Sequence, residues 1–345
     1  MNESRRRALK AVAAVPAASF AGMPALVFGQ QTTRWRVQTL WGAGEDTFKY
    51  FQEFCDKVKA NTGGRLEIQS FAAGSVVGAF ETLDAVGQNV LQGQSTYPGY
   101  WAGKEPALAV IGDFAFGYRS PEQQNRWLYE KGGMEMLRQA YQRFNVYTVG
   151  ATWWGVESIT SRRAIRKPDD FKGIKHRGAQ GIASETIAKM GASIVVIPGG
   201  EAYSALEKGV VDSVDWSTLS VNQKVGFFEV AKFATFPGFH SMPIQDFTVN
   251  AAAWKALPDD VKQIVEKTWR EFSLTQVARI AENDKRVAAE VKTKGVELVA
   301  WSDADLGKAR ELAQVVVSEW AAKGPLAKQA AESQRAFLRE LKLLA

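Results

Sequence analysis

Residues 35–71 read WRVQTLWGAGEDTFKYFQEFCDKVKANTGGRLEIQSF, and they carry the clearest secondary-structure pattern of the chain. The first seven largely alternate apolar and polar side chains, which predicts a β-strand, and the glycines in residues 42–44 predict a turn after it. Apolar side chains then recur at helical spacing from about Asp46, which predicts a helix that ends near Gly63. Residues 66–71 indicate a second strand. This order of strand, helix and strand predicts an α/β fold.

The alternation of strands and helices continues along the chain. Further strands are predicted at residues 94–100, 107–111, 146–152, 158–161, 174–177, 193–197 and 213–216. Further helices are predicted at residues 82–91, 121–144, 181–190 and 202–208. Between Asp259 and Thr293 no glycine or proline interrupts an amphipathic pattern, which predicts one long helix or a kinked pair.

These elements divide into two predicted lobes. Residues 31–150 form the first lobe, which residues 246–300 complete, and residues 151–245 form the second. Helices dominate residues 301–345 at the C-terminal end. The long helices can brace the two lobes, although a scaffold packed on the surface fits the same pattern.

Residues 1–30 are predicted to be an export signal. The basic stretch SRRRALK precedes a moderately apolar run over residues 11–28. It resembles the twin-arginine signal of proteins exported in the folded state, with Ala8 where that pattern usually has phenylalanine. An ordinary secretion signal or a membrane anchor is the alternative, but prolines and a glycine interrupt the run and disfavour a spanning helix. The chain from residue 31 onward is expected to be soluble.

Charge and cysteine content exclude two further classes. The formal net charge is +6, but four basic residues and one acidic residue lie among the first ten, so the rest carries only a small positive excess. No nucleic-acid partner is therefore expected. Cys55 is the only cysteine, so no internal disulfide can form. Apolar neighbours at helical spacing predict that Cys55 is a core residue and not a nucleophile.

The common catalytic motifs are absent from the sequence. The strand-to-helix turn at residues 42–44 lacks the third glycine of a dinucleotide-binding loop. There is no Gly-x-Ser-x-Gly, and the chain has only two histidines, His176 and His240. His and Cys clusters with the spacing of metal ligands are missing too. The sequence therefore favours a binding protein over an enzyme.

Polar and aromatic side chains at the ends of predicted strands form the candidate site. Ligands in open α/β sheets bind at such ends, although core packing explains any single aromatic residue equally well. Arg177 ends the predicted strand 174–177, and its planar guanidinium is suited to holding a carboxylate through two parallel hydrogen bonds. The alternative is a solvated arginine that pairs with Asp169 or Asp170. The other candidates are Tyr97, Tyr100, Trp101, Trp153, Trp154, Glu157, Asp215 and Trp216.

Several spaced motifs together resemble one family. Residues 171–177 (FKGIKHR) and 198–212 (PGGEAYSALEKGVVD) are similar to segments of the solute-binding proteins of tripartite ATP-independent periplasmic (TRAP) transporters. Residues 54–66 (FCDKVKANTGGRL), together with FAAG at 71–74 and LDAV at 83–86, are similar to the first-lobe signature, so the resemblance extends to about residue 300. It implies a two-lobed periplasmic binding protein fold with mixed sheets, a hinge, and delivery of cargo to large and small membrane subunits.

The resemblance also implies roles for particular residues. The arginine at the position of Arg177 usually clamps a ligand carboxylate. Sialic-acid and dicarboxylate binders commonly carry a second arginine where this chain has Glu157, which disfavours a dicarboxylate. The branch that binds 2-oxo or 2-hydroxy monocarboxylates holds a metal ion beside an acidic residue followed by tryptophan, similar to Asp215 and Trp216.

Glu157, Asp215 and the Trp216 carbonyl would then hold Ca²⁺ or Na⁺, and the two acidic side chains favour Ca²⁺. The alternative is that Glu157 pairs directly with Arg177 or with a nearby arginine. Weaker candidates for the same site are Tyr100, Trp101, Trp154, His240 and Ser241 as substrate contacts, Gln245 as a metal ligand, and Asp246.

The predicted function is therefore periplasmic capture of a small organic acid. A homodimer is a further expectation, although the sequence does not fix the oligomeric state. An enzyme or a chemosensory binding protein that uses the same two-lobed fold is the alternative.

Overall fold

Two β-sheets organise residues 32–344, the part of the chain that this computed structural model describes. The strands are β1 Thr33–Thr39, β2 Leu66–Phe71, β3 Gly93–Thr96, β4 Val146–Trp153, β5 Thr160–Ser161, β6 Lys175–Gly178, β7 Ser193–Val196, β8 Ser213–Val214, β9 Phe233–Thr235, β10 Ile244–Asn250 and β11 Glu297–Val299. The helices are α1 Asp46–Asn61, α2 Thr82–Gly87, α3 Pro106–Gly112, α4 Pro121–Glu130, α5 Gly133–Tyr141, α6 Ile182–Lys189, α7 Ala202–Glu207, α8 Leu219–Val225, α9 Phe227–Val230, α10 Ala251–Lys255, α11 Asp259–Thr293, α12 Asp303–Ala321 and α13 Pro325–Glu340. The predicted export signal lies outside the described residues.

Both sheets are mixed. The first has the strand order β2-β1-β3-β10-β4, in which β1 pairs parallel with β2 and β3, while β10 runs antiparallel to both of its neighbours. The second has the order β11-β9-β5-β8-β6-β7, with β6 parallel to β7 and β8, and β5 antiparallel to β8 and β9. The chain passes from the first sheet to the second after β4 and returns before β10. The loops at strand ends of both sheets can therefore meet in one cleft.

The helix α11 is the longest element among the described residues, with 35 residues. It begins after Pro258 and carries Asp259 and Asp260 in its first turn, where negative charge stabilises a helix N-terminus. Its first half packs Trp269 against aromatic side chains of α1 and β10. Its second half buries Val287 in a cluster with residues around β9. One uninterrupted helix thus contacts the elements of both sheets, and the predicted long helix is confirmed.

The lobe boundaries stay a prediction. One strand, β11, belongs to a different sheet from the one that these boundaries imply. Residues 246–300 were assigned to the first lobe, whereas β11 pairs parallel with β9 in the second sheet. The reason is that α11 leads the chain from one sheet to the other before β11 begins.

Three predicted elements differ from the structure. Residues 107–111 form the helix α3 and not a strand, because Pro106 is at its first position and the Glu105 side chain accepts a hydrogen bond from the backbone N–H of Ala107. The predicted helix at residues 121–144 is two helices, since Gly132 adopts a left-handed φ of 86° between them. The predicted strand at residues 94–100 ends at Thr96, and Pro98–Trp101 forms a 3₁₀ turn.

The structure confirms the expectation for Cys55. Cys55 is a buried free cysteine within α1, and burial raises the pKa of its thiol well above the usual value, so it is a core residue. Within residues 32–344, no helix combines the length and the apolar character that crossing a membrane requires.

Candidate functional site

A cavity of about 30 Å³ lies where loops from both sheets meet. Tyr97 follows β3, Trp154 follows β4, Ala179 follows β6 and Asp215 follows β8, so the cavity lies at the ends of two strands from each sheet. The sequence-predicted residues that line it are Tyr97, Tyr100, Trp154, Glu157, Arg177, Asp215, Trp216 and Ser241. Eight candidates from distant parts of the chain therefore share one cavity.

Arg177 is a buried cation held by neutral partners. Its side chain is 2% exposed. Nε and Nη2 both donate to the carbonyl of Ile197, at 3.1 and 2.9 Å, and Nη1 donates to the carbonyl of Asp215. The guanidinium also lies 5.5 Å from the ring centroid of Trp216. Backbone carbonyls fix the orientation of the fork but do not neutralise its charge.

Neither alternative partner of Arg177 is present in the described structure. Asp169 pairs with Lys172, and Asp170 accepts from the backbone N–H of Arg166. The Glu157 carboxylate accepts instead from the indole N–H of Trp154 at 2.9 Å. Within residues 32–344, no carboxylate forms an ion pair with Arg177 at 4.0 Å or less. The buried charge is therefore available to an anionic ligand.

Glu157, Asp215 and His240 form a buried group beside Arg177. One potential ligand atom of each lies within 4.8 Å of the others. Asp215 Oδ1 is 3.2 Å from His240 Nε2, but the two atoms are not aligned for a hydrogen bond and both lack a hydrogen-bond partner. Buried polar atoms without partners cost free energy. A cation between them would satisfy these atoms, so the residues fit a metal ion.

The two carboxyl groups have opposite pKa shifts. Burial, and next the charge of Asp215, raises the pKa of Glu157 well above its usual value. Burial alone would raise the pKa of Asp215, but the interactions with His240, and next those with Glu157, outweigh burial and hold it below the usual range. Without a cation, the pair thus keeps one negative charge and one proton. A cation would favour the doubly ionised form.

Asp113 is a site residue that the sequence did not reveal. It lines the cavity and is 2% exposed. Its carboxylate accepts hydrogen bonds from the Ser241 hydroxyl at 2.8 Å and from the Met242 backbone N–H at 3.2 Å. Burial raises the pKa of Asp113 to about 6. No motif marks this residue; the only sequence signal was an acidic residue at the end of a fully apolar run.

Tryptophan side chains form one wall of the cavity. Trp41 packs edge-on against Trp154 and Trp216, with ring centroids 5.0 and 5.6 Å apart. The indole of Trp216 lies directly on Gly199, where a Cβ atom would come within 1.7 Å of the ring. Position 199 therefore has room for no side chain while Trp216 keeps this orientation.

Four further candidates do not line this cavity. Trp101 packs behind the cavity and donates its indole N–H to the Phe80 carbonyl at 3.3 Å. The Gln245 side chain accepts from Trp41 and donates to Ser95, so it belongs to a polar network inside the first sheet. His240 lines a neighbouring cavity together with Asp113 and Ser241, and it lies beside the carboxyl groups of Glu157 and Asp215. Asp246 is buried in the first sheet and accepts from the Tyr141 hydroxyl.

A larger cavity of about 550 Å³ is separate from this site. It is lined by α1, α8, α9 and α11, and charged residues of α11 in its wall pair with each other: Glu290 with Arg286 and with Lys294. Its lining includes neither Arg177 nor the carboxylate group. The smaller cavity, which combines a buried cation with orphaned polar atoms, is therefore the candidate ligand site.

Comparisons with known proteins identify the family of this chain. Residues 37–323 match the DctP family, described as bacterial extracellular solute-binding protein, family 7. The monocarboxylate 2-oxoacid-binding periplasmic protein of Nostoc sp. is 30% identical over 315 residues, which cover 91% of this chain and 86% of that protein.

Two solved structures have the same fold. A TRAP transporter solute-binding protein from Bordetella bronchiseptica RB50, a mixed-occupancy dimer with copurified calcium and picolinate, is 27% identical with a TM-score of 0.85, covering 90% of this chain and 93% of that one. A TRAP periplasmic solute-binding protein from Pseudoalteromonas atlantica T6c with bound sodium and pyruvate is 24% identical with a TM-score of 0.83, covering 90% and 95%. The predicted two-lobed fold is confirmed, and the chain belongs to the DctP family of TRAP periplasmic solute-binding proteins.

Proposed function

We propose that this protein captures a 2-oxo or 2-hydroxy monocarboxylate together with a cation. Arg177 binds the carboxylate, while Glu157, Asp215 and the Trp216 carbonyl hold Ca²⁺ or Na⁺, with His240 beside them. The observation that carries the proposal is the buried Arg177 guanidinium, which has neutral backbone partners and faces a pair of carboxyl groups.

The charges of the site favour an anion with a cation over an anion alone. A carboxylate that entered beside Glu157 and Asp215 would meet repulsion at short range, where the low dielectric strengthens it. Ca²⁺ between the two acids neutralises both of their negative charges, and its open coordination positions then attract the oxygens of the ligand. A 2-oxo or 2-hydroxy oxygen next to the carboxylate can then join the coordination shell, which oxygen ligands dominate for Ca²⁺.

The same charges disfavour a dicarboxylate. Arg177 is the only arginine or lysine among the residues that line the cavity. A second ligand carboxylate would have no cationic side chain to pair with, and an unpaired buried charge is costly. Support from relatives points in the same direction, since the Nostoc protein is named for monocarboxylate 2-oxoacids and the Bordetella protein holds calcium with picolinate.

A thermal-shift screen followed by calorimetry tests the proposal. The screen compares 2-oxo acids, 2-hydroxy acids, dicarboxylates, sugars and amines; a ligand at 100 times its Kd adds about 2.7 kcal/mol of stability. We expect only the first two classes to stabilise the protein. Stabilisation by sugars or amines, with none from any organic acid, would contradict the carboxylate.

The cation is tested by titrating the best acid after exhaustive chelation and again after Na⁺ or Ca²⁺ is restored. We expect binding to weaken at least tenfold on chelation and to recover with Ca²⁺ more than with Na⁺. Equal affinity under all three conditions would mean that Glu157 and Asp215 are not cation ligands.

We also propose a cellular role, which is based on the role of the family. The protein releases its unmodified ligand to large and small membrane subunits at the periplasmic face of the inner membrane, after export by a twin-arginine-type signal in residues 1–30. A homodimer is a further expectation. Nuclear magnetic resonance of the acid incubated with the protein checks the absence of turnover: we expect an unchanged spectrum, and product signals would favour an enzyme.

A further inference from the structure

We propose that Asp113 is a positioning residue for the cation group. It holds residues 240–242 in place, so that His240 stays beside Asp215 and the backbone of Glu157 stays anchored. This inference rests on the cation site of the proposed function and adds a residue from the first-sheet side to it.

Asp113 joins two parts of the chain that are far apart in sequence. It directly follows α3, and its backbone N–H donates to the carbonyl of Ala109 at 3.2 Å, which fixes it to the helix end. One carboxylate oxygen accepts from the Ser241 hydroxyl and the other from the Met242 backbone N–H. The separations along the chain are 128 and 129 residues. The buried carboxylate is thus a bridge between α3 and the loop that precedes β10.

The bridged loop is in turn bonded to the cation group. The carbonyl of Ser241 accepts a hydrogen bond from the backbone N–H of Glu157 at 2.9 Å. The carbonyl of His240 accepts from the backbone N–H of Phe116, also at 2.9 Å. The imidazole of His240 reaches Asp215. Any shift of this loop would therefore move two of the three members of the group.

Geometry assigns Asp113 a supporting role and not a direct one. Its carboxylate does not belong to the set of ligand atoms that lie within 4.8 Å of one another. Both of its oxygens are already used by Ser241 and Met242. One further lone pair remains on each oxygen, so a direct contact is disfavoured by the position of the carboxylate outside this set. Its effect on the cation therefore passes through the position of residues 240–242.

Alanine and asparagine substitutions at this position separate positioning from charge. D113A removes both acceptors and leaves the buried Ser241 hydroxyl and Met242 N–H without partners. D113N keeps the shape: its carbonyl can still accept from Met242, and its amide can donate to the Ser241 oxygen. If Asp113 acts by positioning, D113N should retain the cation affinity that D113A loses.

The chain offers a matched control in Asp284. Its carboxylate also accepts from one hydroxyl, Thr218 at 2.9 Å, and from one backbone N–H, Ser220 at 2.7 Å, but none of these three residues lines the smaller cavity. D284A should therefore lower thermal stability through the same kind of loss, with no effect on the cation.

The readout is a Tb³⁺ titration, in which Trp154 and Trp216 at the cavity sensitise the luminescence of this Ca²⁺ substitute, with competition by Ca²⁺. We expect D113A to weaken cation affinity about tenfold, D113N to stay within about threefold of the wild type, and D284A within about twofold. Should D113A not fold, S241A removes one of the same two bonds and should weaken affinity about threefold or more.

Two results would overturn the inference. Wild-type cation affinity in D113A or, if that variant does not fold, in S241A would show that the bridge does not position the group. Equal losses in D113N and D113A would show that charge and not position is what matters. Absence of any cation binding by the wild type would instead remove the proposed function, and this inference with it, so the two failures are distinguishable.

Discussion

Replacing Arg177 with lysine keeps the positive charge and removes the planar fork, so it isolates the contribution of geometry. The guanidinium has five N–H donors, and three of them bind the carbonyls of Ile197 and Asp215. One N–H on each terminal nitrogen remains, which is the number of donors that bidentate binding of a ligand carboxylate requires. Lysine has three donors on a single nitrogen and cannot bind both carbonyls and two ligand oxygens at once.

The expected loss can be worked from this count. If one of two charged hydrogen bonds to the ligand is lost, the free energy of binding falls by about 1.5–3 kcal/mol, or roughly 10- to 150-fold in Kd. Calorimetric titration of the best acid at saturating Ca²⁺ measures it for R177K and for the control R166K. Arg166 is an exposed arginine paired with Glu297, so its substitution should leave Kd unchanged.

The fold of R177K must be checked by its melting temperature, because the carbonyls of Ile197 and Asp215 lose donors as well. A loss below about threefold in a folded R177K would refute the bidentate role. A loss of equal size in R166K would show that an arginine-to-lysine substitution lowers the affinity at other positions too, so that the effect is not specific to Arg177.

Two further predictions concern packing and pH. G199A should weaken ligand binding at least tenfold, because a Cβ atom there would lie 1.7 Å from the Trp216 ring and force the ring out of the cavity wall. The control G200A should bind normally, since no atom lies within 4 Å of its added Cβ. Equal affinities of the two variants in calorimetry would refute this prediction. Burial raises the pKa of Asp246 to about 7, so between about pH 4 and 7 the folded state holds a proton that the unfolded state has released, and stability falls as the pH rises through that window. D246N lacks this group. From pH 5 to 7, the difference in free energy of unfolding between D246N and the wild type, measured in urea, should therefore increase in favour of D246N by up to about 1.4 kcal/mol per pH unit. A difference that stays constant with pH would contradict the assignment.

The sequence by itself determined the class of the fold and the centre of the site. The alternation of strands and helices depends on neighbours within a few residues, so β1, α1 and β2 could be placed from residues 35–71. Arg177 could be placed at a strand end for the same reason, and family motifs led to Glu157 and Asp215, which lie beside it in the structure.

Tertiary structure decided what local patterns cannot express. The apolar run at residues 107–111 fits a buried strand and a buried helix equally well, and only its packing and the cap at Glu105 select the helix. Gln245 lies one residue from Asp246 on a fully buried strand, and its partners Trp41 and Ser95 lie after β1 and within β3, so no periodicity could predict these hydrogen bonds. Asp113 meets Ser241 across 128 residues, a contact that exists only once both sheets have formed and the loop before β10 has closed over the end of α3.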